Sequence, residues 1–569
     1  MSKFFKKAVV LLLTIVCAFG TMGLIGCGEE GGGGSNHVKD QKLDPNKAQL
    51  YVSNFNGGVG TEWLYDNIAL FQEQYKDVKF TPDTTGVQVW VDAHKNNASS
   101  VYSKMKYEDV QIYFMGGGNY LDMVYGGALY DMTHVVTGAL ADVGEGTETG
   151  DGKVTIESKL PQIYKDYFGV KEGEETKYYA LPHYEIFNTI TYDIDIFDEK
   201  DLFFDVSGEL TKKSNDAGRG TGPDGEAGTY DDGLPATYEQ FYKLCTTMKL
   251  RGVTPIIWSG QYDFYTTEYM AGLKADFEGL ESAVPVNVSG TMSKLVSSYT
   301  GSGDNRVINY KAPTEISPSN GYEIFNSAGT LHALSFFEKL VDNGWYDNAS
   351  INEATTHTGA QKTFLTSKYN SKTQPIGMLI EGIYWTHESS DTFRQMEGRY
   401  KNSSLAERRL GVMPFPKVDD TQLGPNTIKR SSGILCMNGK LEKDSDMANL
   451  AELFVKFCHT NDALARFFMT TNVSRGYNYT LSAEQQAKVT PFGNSVRTLI
   501  ENSQHVAGMS NNEFVYKNYT MLTPLGNFLT SKYGDDPIDA LKDGTSAETV
   551  FEEIRAKYDA TSWQDLISK

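Results

Sequence analysis

The body of this chain opens with hydrophobic patterning that changes period repeatedly over a short span, and that alternation restricts the fold more than any other stretch. Tyr51-Val52-Ser53-Asn54-Phe55 alternates as a strand does. Glu62 to Tyr75 then places Leu64, Ile68, Phe71 and Tyr75 at helical spacing, and Asp77-Val78-Lys79-Phe80 reads as a second strand. Ala98 to Met105 suits a helix, and the apolar run Val110 to Met115 suits a buried strand. Strand, helix, strand, helix, strand within about 65 residues specifies a parallel sheet with crossover helices, hence an α/β fold. Such sheets hold ligands beyond the carboxyl ends of their strands. Those ends are Asn56-Gly57-Gly58-Val59-Gly60 and Gly116-Gly117-Gly118-Asn119, glycine-rich turns where backbone can approach a ligand closely. Asn56 and Asn119 are therefore candidate ligand contacts.

What precedes this body is a basic start (Lys3, Lys6, Lys7), an apolar middle from Ala8 to Val16, and the ending Leu24-Ile25-Gly26-Cys27. Basic, apolar and small residues in that order make a secretory leader. The ending resembles the lipobox of bacterial lipoproteins, which implies that residues 1–26 are removed and that Cys27 carries a lipid. A membrane-spanning anchor is the alternative, because Ala8 to Ile25 approaches the roughly 20 residues a bilayer needs. The sequence after Cys27 favours the lipid: Gly28-Glu29-Glu30, Gly31 to Ser35 and a polar stretch through Asn46 form a flexible tether over 27–48. Two acyl chains hold a protein stably at a bilayer. The expected location is the outer face of the cytoplasmic membrane.

Beyond residue 48 roughly 520 residues remain, too many for one hydrophobic core and enough for two or three. The formal charge is −21, and losing Lys3, Lys6 and Lys7 with the leader brings it to about −24. That balance argues against nucleic acid and against anionic membrane surfaces as partners. With Cys27 acylated, Cys245, Cys436 and Cys458 are an odd, widely spaced set with neither a disulfide framework nor zinc spacing; they read as small buried hydrophobes. Helical patterns recur at Tyr238 to Leu250, Ile324 to Asn343, Met447 to Cys458, Asp462 to Met469, Phe492 to Asn502 and Ala547 to Tyr558. A glycine-rich loop, Ser214 to Pro235, interrupts the middle. The 34 Tyr, 29 Phe and 6 Trp are abundant; core packing explains many of them, and the excess suits a wet recognition surface.

Several short segments resemble, in order, those of bacterial extracellular solute-binding proteins, the carbohydrate-type receptor lipoproteins of ABC importers. Asn54-Phe55-Asn56-Gly57-Gly58 with Trp63 is similar to their first strand and turn. Lys177-Tyr178-Tyr179-Ala180-Leu181-Pro182 followed by Thr191-Tyr192-Asp193-Ile194-Asp195-Ile196-Phe197 resembles their G-x-Y-x-L-P … Y-N-x-x-x-F crossover, with Asp193 where Asn is usual. Thr237-Tyr238-Glu239-Gln240-Phe241 resembles a T-W-x-E-F helix start. Ile376 to Trp385 resembles the A-M-x-x-x-G-x-W strand and hinge, and Arg409 to Pro416 the x-G-x-x-P-x-P segment after it. The resemblance implies a two-lobed periplasmic-binding-protein-like fold of type II, each lobe a mostly parallel sheet flanked by helices, closing on ligand by hinge motion. It implies lobe 1 from 49–186 with 382–436 and lobe 2 from 187–381 with 437–569. It further implies a monomer that captures a sugar, an oligosaccharide, and delivers it to permease subunits.

Candidate site residues follow from strand-end positions and from this resemblance. Trp63 opens a helix beside the first glycine turn, where it could stack on a sugar or pack between elements. Tyr184 follows the crossover motif. Trp258, Tyr262 and Phe264 crowd a loop after Pro255-Ile256-Ile257, and aromatic faces with polar edges suit carbohydrate. Glu381, Tyr384 and Trp385 flank the exit at Gly382, and the resemblance implies that Trp385 stacks on ligand; His387 reads as a surface residue. Asp224, Glu226, Asp231 and Asp232, with Asp216 upstream, offer oxygen donors for a structural calcium, although the spacing is not that of an EF-hand loop. No other cofactor is implied. The metalloprotease, nucleophile-elbow and P-loop motifs are absent, so the expectation is a binder and not an enzyme. The alternative is a lipid-anchored surface glycoside hydrolase or glycan-binding protein, since a hydrolase needs only two suitably spaced carboxylates.

Overall fold

The computed structural model describes residues 41–96, 98–118, 120–145, 154–211, 218–518 and 537–567. The leader, Cys27, the tether as far as residue 40, Asn119 and Asp216 lie outside the described residues. Ten strands frame the molecule: β1 Ala48–Phe55, β2 Val87–His94, β3 Ile112–Met115, β4 Ala180–Ile186, β5 Asn188–Asp193, β6 Thr254–Ile257, β7 Ile376–Gly382, β8 Leu410–Met413, β9 Thr427–Met437 and β10 Gln504–Ala507.

The first sheet has the order β10-β9-β3-β1-β2, with β4 also paired to β9. β1 runs parallel to β2 and β3, so the expected parallel sheet forms. Its second strand is not Asp77–Phe80. Lys79–Thr81 pairs only with Thr84–Thr85 in a small hairpin, and Val78 stays exposed. The sheet instead takes β2, where Val87, Val89 and Val91 alternate and Val87 and Val89 are buried. A strand beside β1 must present an apolar face to the helices, and only the later segment has one.

The main helices are α1 Glu62–Gln74, α2 Tyr238–Leu250, α3 Phe264–Glu278, α4 Ala328–Asp342, α5 His357–Ser367, α6 Asp446–Phe457, α7 Asn461–Thr471, α8 Pro491–Glu501 and α9 Ala547–Lys557. Seven of them open on a Ser or Thr whose hydroxyl accepts the backbone N–H three residues on: Thr237, Ser327, Thr356, Ser445, Thr460, Thr490 and Ser546. Each such cap stabilises by about 1 kcal/mol and fixes where the helix begins. α1 buries Trp63, Leu64, Ile68 and Phe71. Phe71 meets Phe454 and Phe457 of α6 edge-on at 5.0 and 5.3 Å, and Trp63 meets Phe467 of α7 at 5.0 Å. Burial of each large apolar side chain contributes about 2–3 kcal/mol.

The second sheet has the order β6-β7-β5-β8. β6 runs parallel to β7, while β5 is antiparallel to both β7 and β8. Period-2 alternation splits its side chains between two cores. Met378 and Ile380 join the cluster built with α2, α3, α4 and α9. Leu379, Leu410 and Val412 join a cluster with Phe364, Trp385 and Phe492 that is continuous with the first lobe's core. The expected lobe division therefore shifts in two places: β8 belongs to the second sheet, and α6 and α7 pack on α1 of the first lobe. The chain passes from the first sheet to the second at Phe187 and back over 414–426.

Asp193, the departure noted above, has a structural partner. Its carboxylate accepts from Arg408 Nε at 3.0 Å and Nη2 at 2.5 Å, with both side chains fully buried, and it also caps the backbone N–H of Ile196. Among the described residues no helix is long and apolar enough to cross a membrane.

Candidate functional site

The carboxyl ends of β1 and β3 open onto a cleft of about 680 Å³ between the two lobes. The first lobe supplies the glycine turns at Gly57-Gly58 and Gly116-Gly117-Gly118, together with Tyr184 at the end of β4. The second lobe supplies Phe264, Tyr265 and Glu268 from the start of α3, His357 from α5, and Tyr384 and Glu388 from the segment after β7. Ser431 and Ser432 of β9 line the floor, with Gly508 to Ser510 beside them.

Both lobes reach across at the glycine turn. Gly58 has φ +60°, a conformation costly for other residues, and a Cβ there would lie 3.4 Å from the Tyr384 ring. Its N–H donates to Glu388 Oε1 at 3.3 Å. Gly60, at φ +65°, passes so close to His387 that a Cβ would sit 2.2 Å from Nε2. His387 reaches Glu62 of α1 at 3.4 Å, so it bridges the lobes and is not the surface residue expected. That hydrogen bond pulls the Glu62 carboxyl down to about 2.

Behind the cleft wall sits a carboxyl pair. Gln361 Nε2 donates to Glu381 Oε1 at 3.1 Å and to Glu388 Oε2 at 2.9 Å. Its orientation is set by Ser389, whose hydroxyl donates to Gln361 Oε1 at 2.8 Å. Glu381 is fully buried, and burial, with Glu388 beside it, raises its carboxyl well above the usual range. Burial pushes Glu388 up to about 7. Like charges so close disfavour joint ionisation, so the pair holds a proton near neutrality. His357 Nε2 lies 3.9 Å from Glu388, and burial holds the imidazole below its ordinary pKa.

The structure sorts the expected site residues. Tyr184, Phe264 and Tyr384 line the cleft, with the Tyr184 and Tyr384 rings perpendicular at 6.2 Å. Tyr262 is not among the lining residues; it is 38% exposed, with its ring 5.4 Å from that of the lining residue His357. Asn56 is not among the lining residues and accepts from the Thr61 hydroxyl at 2.8 Å; the glycines after it make the wall. Three tryptophans need correction. Trp63 is core, its indole N–H donating to Gly60 O at 3.2 Å. Trp258 packs on Phe337 and Tyr346. Trp385 is fully buried among Phe364, Phe393 and Phe492, and its indole N–H donates to Thr191 Oγ1 at 3.0 Å. Each is a large ring on the apolar side of a strand end, where the core removes more of it from water than a cleft could. Glu381 stands one layer behind Glu388 and does not line the cleft.

The acidic loop turns its carboxylates onto its own backbone. Asp224 accepts from Glu226 N, Asp231 from Asp224 N and the Thr229 hydroxyl, and Asp232 from Gly228 N. Among the described residues no group of three or more His, Cys, Asp or Glu is arranged to hold a metal ion; Asp216, upstream of Asp224, Glu226, Asp231 and Asp232, lies outside those residues. Tyr265, His357, Glu388, Lys95 and the serines of β9 are lining residues that sequence reasoning did not select. Tyr265 and Glu388 lay in segments it had singled out, whereas nothing local marks Ser431, Ser432 or residues 508–510.

A two-lobed α/β architecture with a crossed chain and an interlobe cleft is that of the extracellular solute-binding proteins, and this chain has that fold. It is similar over 92% of its length to all of a chitin oligosaccharide binding protein, at TM-score 0.56 and 14% identity. It is similar over 91% of its length to all of the binding protein RafE in complex with raffinose, at TM-score 0.53 and 12% identity. The mannobiose complex of BlMnBP1, a binding protein of an ABC transporter from Bifidobacterium animalis subsp. lactis, matches over 93% of this chain and 98% of its own, at TM-score 0.53 and 12% identity. No protein-family model and no curated protein matches the sequence.

Proposed function

We propose that this chain is the capture component of an ABC importer, binding an oligosaccharide reversibly between its lobes and presenting the closed form to membrane permease subunits. The cleft carries this reading. Its walls combine six Phe and Tyr side chains, Tyr184, Phe264, Tyr265 and Tyr384 among them, with carboxylate, hydroxyl and backbone groups. Aromatic faces match the C–H faces of a sugar ring, and the polar groups match its hydroxyls. The volume lies within the usual range for small-ligand sites. Solved structures with this fold include binding proteins for chitin oligosaccharide, raffinose and mannobiose. A lipid on Cys27 would hold the body outside the cell within reach of the permease.

Hydrolysis has less support. Glu381 is sealed behind Glu388 and bonded to the same amide, so the two cannot flank a glycosidic bond. The test is a thermal-shift screen of residues 41–569 against mono- and oligosaccharides, followed by chromatography of the sugar. A ligand at 100 times its dissociation constant should add about 2.7 kcal/mol of stability. A raised melting temperature with intact sugar supports capture. Cleaved sugar would transfer the protein to the hydrolases, and no shift with any sugar would sink the carbohydrate reading.

A further inference from the structure

The charges around the cleft do not balance, and the imbalance is local. Glu268 faces the cleft, but Lys429, itself buried, lies 3.8 Å away. Glu185, deeper in the wall, is paired with Arg430. Glu388 is different. Its neighbours are the Gln361 amide, the Gly58 N–H, the His357 imidazole at 3.9 Å, the Tyr184 and Tyr384 rings, and Glu381 at its back. His387, next in the chain, is engaged with Glu62. Among the described residues neither Glu381 nor Glu388 has a lysine or arginine at ion-pair distance; Lys95 on the exposed rim is the one lysine or arginine that lines the cleft, and its charge reaches Glu388 without pairing with it. A largely buried carboxylate with a second carboxyl behind it is costly unless a proton or a positive charge neutralises it. Here that position opens into a cavity bounded by tyrosine rings, and a ring face with a carboxylate is the environment that attracts a cationic group.

We infer that the ligand carries a protonated amine, so that the cleft takes an amino-bearing glycan whose ammonium group sits against Glu388 beside the Tyr184 and Tyr384 rings. This rests on the carbohydrate reading above and narrows it. A neutral sugar brings no positive charge and leaves the pair holding its proton. An ammonium group supplies the missing partner and favours the ionised form of the pair, so its binding expels a proton.

The test is calorimetry near neutral pH with three oligomers of one length: glucosamine, N-acetylglucosamine and glucose. The glucosamine oligomer should bind at least tenfold tighter than either neutral counterpart. Glu388→Gln should collapse that ratio, and Lys95→Gln, which removes the rim cation, should widen it. Melting curves of both variants establish that they fold. Choline and spermidine serve as non-sugar cations. Equal affinity for all three oligomers, or a ratio that survives Glu388→Gln, would overturn the inference and leave the carbohydrate reading standing. Binding of choline or spermidine with no oligomer bound would retain the cationic partner and overturn the glycan. No binding to any of these probes would overturn both.

Discussion

Neighbouring aromatic residues after β7 make opposite predictions, and comparing them tests the assignment of the cleft wall. Trp385→Ala should destabilise the protein without acting through the ligand. The indole is fully buried, with ring centroids of Phe364, Phe393 and Phe492 at 5.9, 6.1 and 5.8 Å. Truncating a buried Trp to Ala costs about 3–5 kcal/mol through lost transfer energy and the cavity left behind. Thr191 also loses the partner it holds at 3.0 Å, which adds about 1 kcal/mol or more. Set against a typical total of about 5–15 kcal/mol, that loss is severe. Tyr384→Ala removes a ring that lines the cleft. A ring contact of about 0.5–1.5 kcal/mol implies that ligand affinity falls about twofold to thirteenfold. Urea denaturation followed by circular dichroism reads the first effect, and calorimetry with the sugar found by screening reads the second. A Trp385→Ala protein as stable as the parent but unable to bind sugar would place that indole in the cleft and refute the packing argument, restoring what the resemblance implied.

Asp193→Asn, which installs the residue usual at this point in the solute-binding proteins, should cost about 3–5 kcal/mol, because Arg408 is left as a buried charge without its carboxylate. Denaturant midpoints equal to those of the parent would show the pair to be dispensable. Glu388 predicts a pH effect. Its carboxyl is raised by burial from the ordinary 4.5 to about 7 in the folded protein. Between those values the folded state retains a proton that the unfolded state has released, so stability falls as pH rises through that window. Glu388→Gln should therefore gain stability over the parent at about pH 8 and lose that advantage at about pH 5; a difference independent of pH would contradict the assignment.

How much of this was legible in the sequence depends on whether the deciding contact is local. β1, β3, α1 and the later helices follow from period and caps, signals contained within a dozen residues, and their observed limits lie close to the expected ones except that α4 starts at Ala328, after a 3₁₀ turn over Gly321–Asn326. β2 was missed because Val78 and Phe80 make a short apolar pair that local pattern cannot distinguish from a sheet strand; only the neighbour in the sheet decides. The cleft was legible at its glycine turns for the same local reason: Gly58 and Gly60 are strained positions where the other lobe approaches. The tryptophans were not legible, because strand-end position says which loop a ring occupies and not which side of the sheet receives it. At β7 this turns on one residue of register. Tyr384 meets the cleft, and Trp385, next along the backbone, enters the core that Leu379 and Leu410 share with α8. The carboxyl pair was invisible for a stronger reason, since its defining atom belongs to Gln361, on a helix that nothing in the sequence associates with Glu381 or Glu388. Charge imbalance in a cleft is a property of which charges lack partners, and partners such as Lys429 for Glu268 come from distant segments. A ligand's chemistry is thus readable only once the fold has neutralised everything else.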